Sequence, residues 1–165
     1  MSTESDASQI LAHPAVRRVQ DALTAAGASG TPVVLAEYAP TAATAAAQLD
    51  CTVAAIANSL VFSADGEPLL VLTSGGHRVD TAKVAVLLGV AKVGRADAEL
   101  VRAATGMAIG GVAPVGHASE IRTLVDVDLA EHDVVWAAAG HPRTVFPTTF
   151  DELVRITGGS PAEVA

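Results

Sequence analysis

Two apolar runs that meet at Asp65-Gly66 constrain this chain more than any other feature. Ile56 to Phe62 and Pro68 to Thr73 are both apolar and short enough to be strands. Asp-Gly between such runs signals a hairpin, because the favoured two-residue turn needs positive φ at both positions. A paired antiparallel core is therefore expected here.

Helical patterns surround that pair. His13-Pro14 opens one, with Val16, Val19, Leu23 and Ala26 at helical spacing and Gly27 at its end. Thr41 is placed to cap an Ala-rich helix through Leu49, and Asp80 or Thr81 to cap one through Leu88, closed by Gly89. Asp97 starts another, closed by Gly106, and Thr149 to Ile156 forms the last, closed by Gly158-Gly159. Thr31 to Glu37, Arg122 to Asp128, Asp133 to Ala139 and Arg143 to Phe146 read as strands. Residues 1–10 are polar and are expected to be a disordered N-terminal tail, with the folded domain over 11–160. Strands and helices mix without strict βαβ alternation, so the expected fold class is a single mixed α/β or α+β domain.

Composition narrows the class. The length of 165 residues fits one domain on the prior of ~100–200 residues each. Half the residues are apolar, which excludes a disordered chain. Three Phe, one Tyr and one Trp leave the core to Val, Leu, Ile and Ala, with Trp136 and Cys51 expected in it. Eighteen acids against ten bases give a net charge of -8, which argues against a general nucleic-acid coat, since such affinity comes from many Lys/Arg–phosphate contacts. It leaves room for a protein that grips only the end of a nucleic acid. One cysteine permits no intrachain disulfide and no cysteine metal cluster. The start MSTESDASQI has no basic or apolar signal region, and no apolar run nears the ~20 residues of a membrane span. A cytoplasmic protein without a membrane partner is expected.

The common catalytic motifs are missing. The five His residues (13, 77, 117, 132 and 141) include no HExxH pair, so no metal is expected. There is no Gly-x-Ser-x-Gly elbow, no Walker motif and no GxGxxG. Three polar stretches remain at strand ends: Ser74 to Lys83, Gly110 to His117, and Ala138 to Phe146. Singly, each has a structural reading. Asp80 caps a helix, Gly110 and Gly111 supply turns, and His141 punctuates a loop. Three such clusters in one small domain point to a shared cleft.

In order, Ile56-Ala57-Asn58-Ser59-Leu60-Val61-Phe62, His77-Arg78-Val79-Asp80-Thr81-Ala82-Lys83, Gly110-Gly111-Val112-Ala113-Pro114-Val115-Gly116 and Gly140-His141 resemble the YbaK / prolyl-tRNA-synthetase-associated family of aminoacyl-tRNA editing domains. The resemblance runs from about His13 to about Gly158. It implies a mostly antiparallel, barrel-like sheet surrounded by helices. It also implies hydrolysis, in trans, of the ester of a mischarged tRNA carrying a small amino acid (Ala, Ser, Thr or Cys), with no cofactor. The implied partners are the 3′ acceptor end of aminoacyl-tRNA and an aminoacyl-tRNA synthetase.

The resemblance assigns roles residue by residue. Gly110, Gly111 and Pro114 would form a stiff loop whose backbone N–H groups face the ester carbonyl. His141 would hydrogen-bond the aminoacyl group or a water. Asn58, Ser59, His77, Arg78, Asp80, Lys83, Gly116, His117 and Gly140 would line the substrate site. Arg78, Lys83, Arg143 and Arg17-Arg18 are the expected contacts to the acceptor end. Asn58 departs from the pattern, which commonly has Lys there, and a neutral amide makes weaker bonds to phosphate than a charged donor. Two readings follow: a deacylase adapted to Asn58, or a silent binding module for aminoacyl-tRNA or a synthetase. A third is a hydrolase of other small esters using the same loop.

Overall fold

Asp65 and Gly66 take φ of 50° and 91° and turn the chain back on itself as the sequence requires. This is a computed structural model that describes residues 3–109 and 111–165, with Thr3–Ser5 described for the backbone alone. The elements are α1 (Thr3–Leu11), α2 (Pro14–Ala25), β1 (Val33–Val34), α3 (Ala42–Leu49), β2 (Ile56–Ala64), β3 (Glu67–Ser74), α4 (Thr81–Leu88), β4 (Val93–Arg95), α5 (Ala98–Thr105), β5 (Arg122–Asp126), β6 (Val135–Ala138), β7 (Thr144–Thr148), α6 (Phe150–Thr157) and β8 (Ser160–Ala162). The strands join one mixed sheet in the order β1-β7-β6-β2-β3-β5-β8, with β4 on β2.

The expected mixed α/β class is found, with one correction. The sheet is not a closed barrel: β1 and β8 end its path, and β6·β2, β3·β5 and β5·β8 pair in parallel. No helix among the described residues is long and apolar enough to cross a membrane.

Caps explain where the helices stop and start. Thr41, Asp80, Asp97 and Thr149 accept from the backbone N–H of Thr44, Lys83, Leu100 and Glu152, and Gly89, Gly106 and Gly158 close α4, α5 and α6 in the left-handed conformation.

Other boundaries moved for tertiary reasons. Helix α1 occupies Thr3–Leu11, where a disordered tail over 1–10 is expected from polarity. Ile10 is buried, and the Asp6 carboxylate meets Arg143 Nη1 at 2.6 Å. That ion pair spans most of the chain and leaves no local signal. The expected strand at 31–37 shrinks to Val33–Val34, because the Arg143 side chain donates to the Leu35 and Ala36 carbonyls in place of a partner strand. Strand β5 stops at Asp126, whose side chain accepts from Asp128 N–H and starts a 3-10 turn. Strand β4 carries too little pattern to be read. It is held by the hairpin tip, where the Asp65 carboxylate accepts from Ala91 and Lys92 N–H and is pulled below its usual range by them.

The core falls into three apolar groups. The largest joins α2 and α5 to one face of the hairpin through Leu23, Val101, Val112, Leu70, Leu72 and Phe146. The second packs α4 on the other face through Leu69, Val71 and Val84. In the third, Ile56 meets the alanines of α3, with Trp136 and Cys51 half-buried against them rather than deep in the core.

Gly66→Ala tests the turn alone, because a Cβ there meets no atom within 4 Å. The expected loss is about 1–2 kcal/mol, the cost of a positive φ on an L-residue, read as a lower urea midpoint with an unchanged slope.

Candidate active site

A gap in the sheet creates the site. Strand β3 covers one edge of β2 from Ala57 to Ala64. On the other edge β6 pairs only with Ile56 and Ala57, and β4 only with Phe62 to Ala64. Asn58, Ser59, Leu60 and Val61 therefore have no strand partner on that side. A cavity of about 970 Å³ opens there.

Register assigns side chains to the two faces of this slot, since alternate residues point to opposite faces. Ser59 lies opposite Leu72 and Val61 opposite Leu70, on the face of α2, α5 and the Gly-rich loop. Asn58 lies opposite Thr73 and shares the other face with Ile56 and α3. Asn58, Ser59, His77, Arg78 and His141 all line the cavity, so the structure brings five of the expected residues together.

His141 is held from behind. Its Nδ1 accepts from Arg143 N–H at 3.0 Å, which leaves Nε2 to carry the hydrogen of the neutral ring. The backbone N–H of His141 donates to the Thr144 hydroxyl, which donates back to the His141 carbonyl. The ring stands edge-on to His13 at 5.7 Å and tilted to Tyr38 at 6.1 Å. Burial first, then the charges of His13 and Arg143, push its pKa below the ordinary histidine value. Near neutral pH it is a neutral Nε2–H donor rather than an acid.

His77 is tied to two carboxylates. Its Nδ1 lies 2.9 Å from Asp126 Oδ2 and its Nε2 2.9 Å from Asp128 Oδ2. Asp126 is 1% exposed and also accepts from Ser74 N–H and the Thr73 hydroxyl. The three residues are close enough to hold a cation, a grouping that sequence spacing does not reveal.

The Gly-rich loop offers fewer donors than its sequence suggests. Gly110 lies outside the described residues. Gly111 N–H is taken by the Ala108 carbonyl at 3.0 Å, and Ala113 N–H faces the Met107 sulfur. Val112 lines the cavity, and its N–H bonds to no other described residue. Gly111 contributes through closeness instead: a Cβ on it would stand 3.3 Å from the His141 backbone.

The remaining expected residues sit elsewhere. Pro114, Gly116 and His117 line a second cavity, beside Ala22 and Ile156. His117 Nε2 lies 2.6 Å from the Ala113 carbonyl, and burial pushes its pKa down, so it braces the loop. Gly140 and Gly116 let the chain press against the backbone of α2. Asp80 caps α4, while Lys83 Nζ donates to the Ala165 carbonyl near Glu163. Arg143 is consumed by Asp6 and Leu35. Arg17 and Arg18 lie on α2, outside the cavity lining, and Arg18 donates to the Gly106 carbonyl.

Sequence reasoning missed Arg95. It lines the cavity from β4, opposite Phe62. Arg78 and Arg95 are exposed and make no ion pair among the described residues. No Asp or Glu is among the described lining residues, in a chain of net charge -8. The charged side chains in the described lining are thus the two arginines, with His77 held by Asp126 and Asp128 at its edge. Only the strand edge that exposes Arg95 could have revealed its place there.

His141 and His117 also set a pH limit. Both have folded pKa values below the unfolded value of about 6.5. The unfolded chain therefore binds more protons as pH falls through that window. Their contribution is complete above about pH 6.5 and is lost as pH drops through the folded values. Urea midpoints are expected to fall between pH 7 and pH 5, and less so in a His117→Gln variant.

Comparisons with known proteins bear on this geometry. Residues 36–156 match the model of the aminoacyl-tRNA editing domain. A segment of 86 residues, 52% of this chain, is 41% identical to proline–tRNA ligase of Bacillus licheniformis, and 81 residues are 36% identical to the enzyme of Nitratidesulfovibrio vulgaris. These matches cover 15% and 14% of the two ligases, so the chain corresponds to a small part of each. A solved structure reported as a candidate trans-editing enzyme for prolyl-tRNA synthetase superposes with a TM-score of 0.86 at 40% identity, over 92% of this chain and 96% of that one. The family match spans most of the chain and contains the whole slot, and the chain belongs to the aminoacyl-tRNA editing domain family.

Proposed function

We propose that this chain is a deacylase acting in trans on mischarged aminoacyl-tRNA that carries a small amino acid. The observation that carries the reading is the slot itself: a cavity through a gap in the sheet, lined by Arg78 and Arg95, which make no ion pair among the described residues. Family membership supports the reaction class.

The two faces divide the work. Arg78 and Arg95 offer charge to the terminal phosphates, which replaces the charge absent at Asn58. On the loop side, Val112 N–H and His141 Nε2–H are the donors available to an ester carbonyl. Fixed donors in a cavity stabilise the oxyanion of an acyl transfer without reorganising. Neither Ser59 nor Thr144 is paired with a side-chain base, so no side-chain nucleophile is used. Water attacks the carbonyl carbon, the bond to the ribose oxygen breaks, and that oxygen takes the proton. The products are the free amino acid and an uncharged tRNA 3′ end.

The test has two arms. Purified protein is incubated with Ala-, Ser-, Thr- and Cys-charged tRNA, and release of at least one amino acid is expected. Binding is then followed against salt. Few phosphates are contacted, so the slope is shallow, and Arg78→Ala and Arg95→Ala should each lower it by about one. A steep slope unchanged by both variants contradicts this anchoring. The neutral amide of Asn58 favours one second reading, a module that binds charged tRNA, or a synthetase that handles it, without hydrolysis. Binding with every ester left intact would favour it.

A further inference from the structure

Strand β2 turns its main-chain groups alternately to its two edges, and the register fixes which residues face the slot. Gly75 N–H donates to the Ile56 carbonyl at 2.7 Å, so Ile56, Asn58 and Leu60 turn their N–H and C=O groups toward β3. Ala57, Ser59 and the alternate residues after them turn theirs to the other edge. Asp65 keeps this phase, since its N–H donates to the Lys92 carbonyl, next to β4, at 2.9 Å. On that edge β6 meets Ile56 and Ala57, and β4 meets Phe62 to Ala64. Ser59 lies between them, and no described residue bonds its N–H or its carbonyl.

Those two groups belong to the cavity wall. Ser59 lines the cavity and is half-buried, yet its Oγ is fully buried. The surface it shows is therefore main chain and Cβ. An N–H and a C=O of one residue, side by side and unpaired, are one half of an antiparallel hydrogen-bonded pair. Backbone groups inside a fold call for a partner.

The partner needs a donor and an acceptor spaced like the N–H and C=O of a single residue. An aminoacyl ester has both, with its ammonium and its carbonyl on either side of one Cα. A longer strand does not fit, because β6 and β4 occupy the edge on both sides of a gap that runs only from Asn58 to Val61, about 13 Å. A charged donor also makes the stronger bond to a carbonyl.

We infer that the aminoacyl group docks on the main chain of Ser59 as a one-residue antiparallel strand, its α-ammonium donating to the Ser59 carbonyl and its own carbonyl accepting from the Ser59 N–H. This rests on the reading of the slot as an aminoacyl-tRNA site and names the group recognised there: the α-ammonium, whatever the side chain. Ser59 N–H then joins Val112 N–H and His141 Nε2–H as a donor to the ester carbonyl.

The experiment is amide hydrogen exchange on the isotope-labelled full chain, with two stable amide analogues of the charged 3′ end. One is 3′-alanylamino-3′-deoxyadenosine, and the other is its 3′-propionylamino counterpart, which lacks the amino group. In the free protein Ser59 N–H should exchange fast, while Asn58 and Leu60, bonded to β3, exchange slowly. The alanyl analogue at about ten times its Kd should slow Ser59 exchange about tenfold, since only the unbound fraction exchanges. The propionyl analogue should bind about tenfold or more weakly. Slow Ser59 exchange in the free protein, binding that leaves Ser59 exchange unchanged, equal affinities for the two analogues, or binding of neither would each overturn the docking. Cleavage of charged tRNA is scored separately. Esters cleaved alongside any of those outcomes leave the deacylase reading standing without this docking, and esters left intact while Ser59 is protected remove catalysis and keep the docking.

Discussion

Gly140→Ala is expected to destabilise the protein by about 2–5 kcal/mol, enough to leave much of it unfolded at physiological temperature. Two costs coincide. Gly140 sits at φ +103°, where an L-side chain is strained. A Cβ there would stand 2.9 Å from the Ala15 carbonyl carbon and oxygen and 3.1 Å from Val16 N. These are backbone atoms at the start of α2, and Ala15 and Val16 are buried, so the helix cannot give way cheaply. The urea midpoint reads this directly, with Gly66→Ala as the comparison that bears the φ cost without the clash. Equal losses in the two variants would show that the approach to α2 is not tight. His141 follows Gly140, so this contact also fixes where the imidazole stands.

His141→Ala is expected to lower kcat for deacylation by about 100-fold, the usual effect of removing one oxyanion donor. Its Nδ1 is occupied by Arg143 N–H, so the ring is preset to donate through Nε2. The change in KM should be small, because the bond strengthens only as negative charge develops. Protonation would break the Arg143 bond and turn the ring into a cation. With the folded pKa held below the ordinary value by burial, activity should be level from pH 8 to about 6.5 and fall only below it. A kcat left unchanged by His141→Ala assigns the ring to support of the Tyr38 and His13 rim instead.

Much of the scaffold is legible in the sequence because its signals are local. Asp65-Gly66 specifies its turn through φ alone, and Thr41, Asp80, Asp97 and Thr149 mark helix starts by reaching their own third N–H. The candidate site is legible only where it coincides with strand ends. Asn58, Ser59, His77, Arg78 and His141 meet in one cavity. Lys83 and Arg143 look like free charges in one dimension, yet each is bonded to a carbonyl from a distant segment. Arg95 sits on a three-residue strand with no periodicity to read, and it enters the site because β2 leaves an edge open. The Asp126–His77–Asp128 grouping joins positions about 50 apart, which no short-range pattern announces. The polar segment Thr3–Leu11 folds as α1, where Ile10 is buried and Arg143 donates to Asp6.

The measurement closest to the central claim is the decay of a seryl-tRNA ester with and without excess purified protein, in single turnover. A deacylase shortens the half-life of that ester many-fold, and His141→Ala restores much of it. A half-life unchanged by wild type, for this ester and for the Ala-, Thr- and Cys-charged tRNAs alike, would contradict catalysis and leave recognition of charged tRNA as the role of the slot.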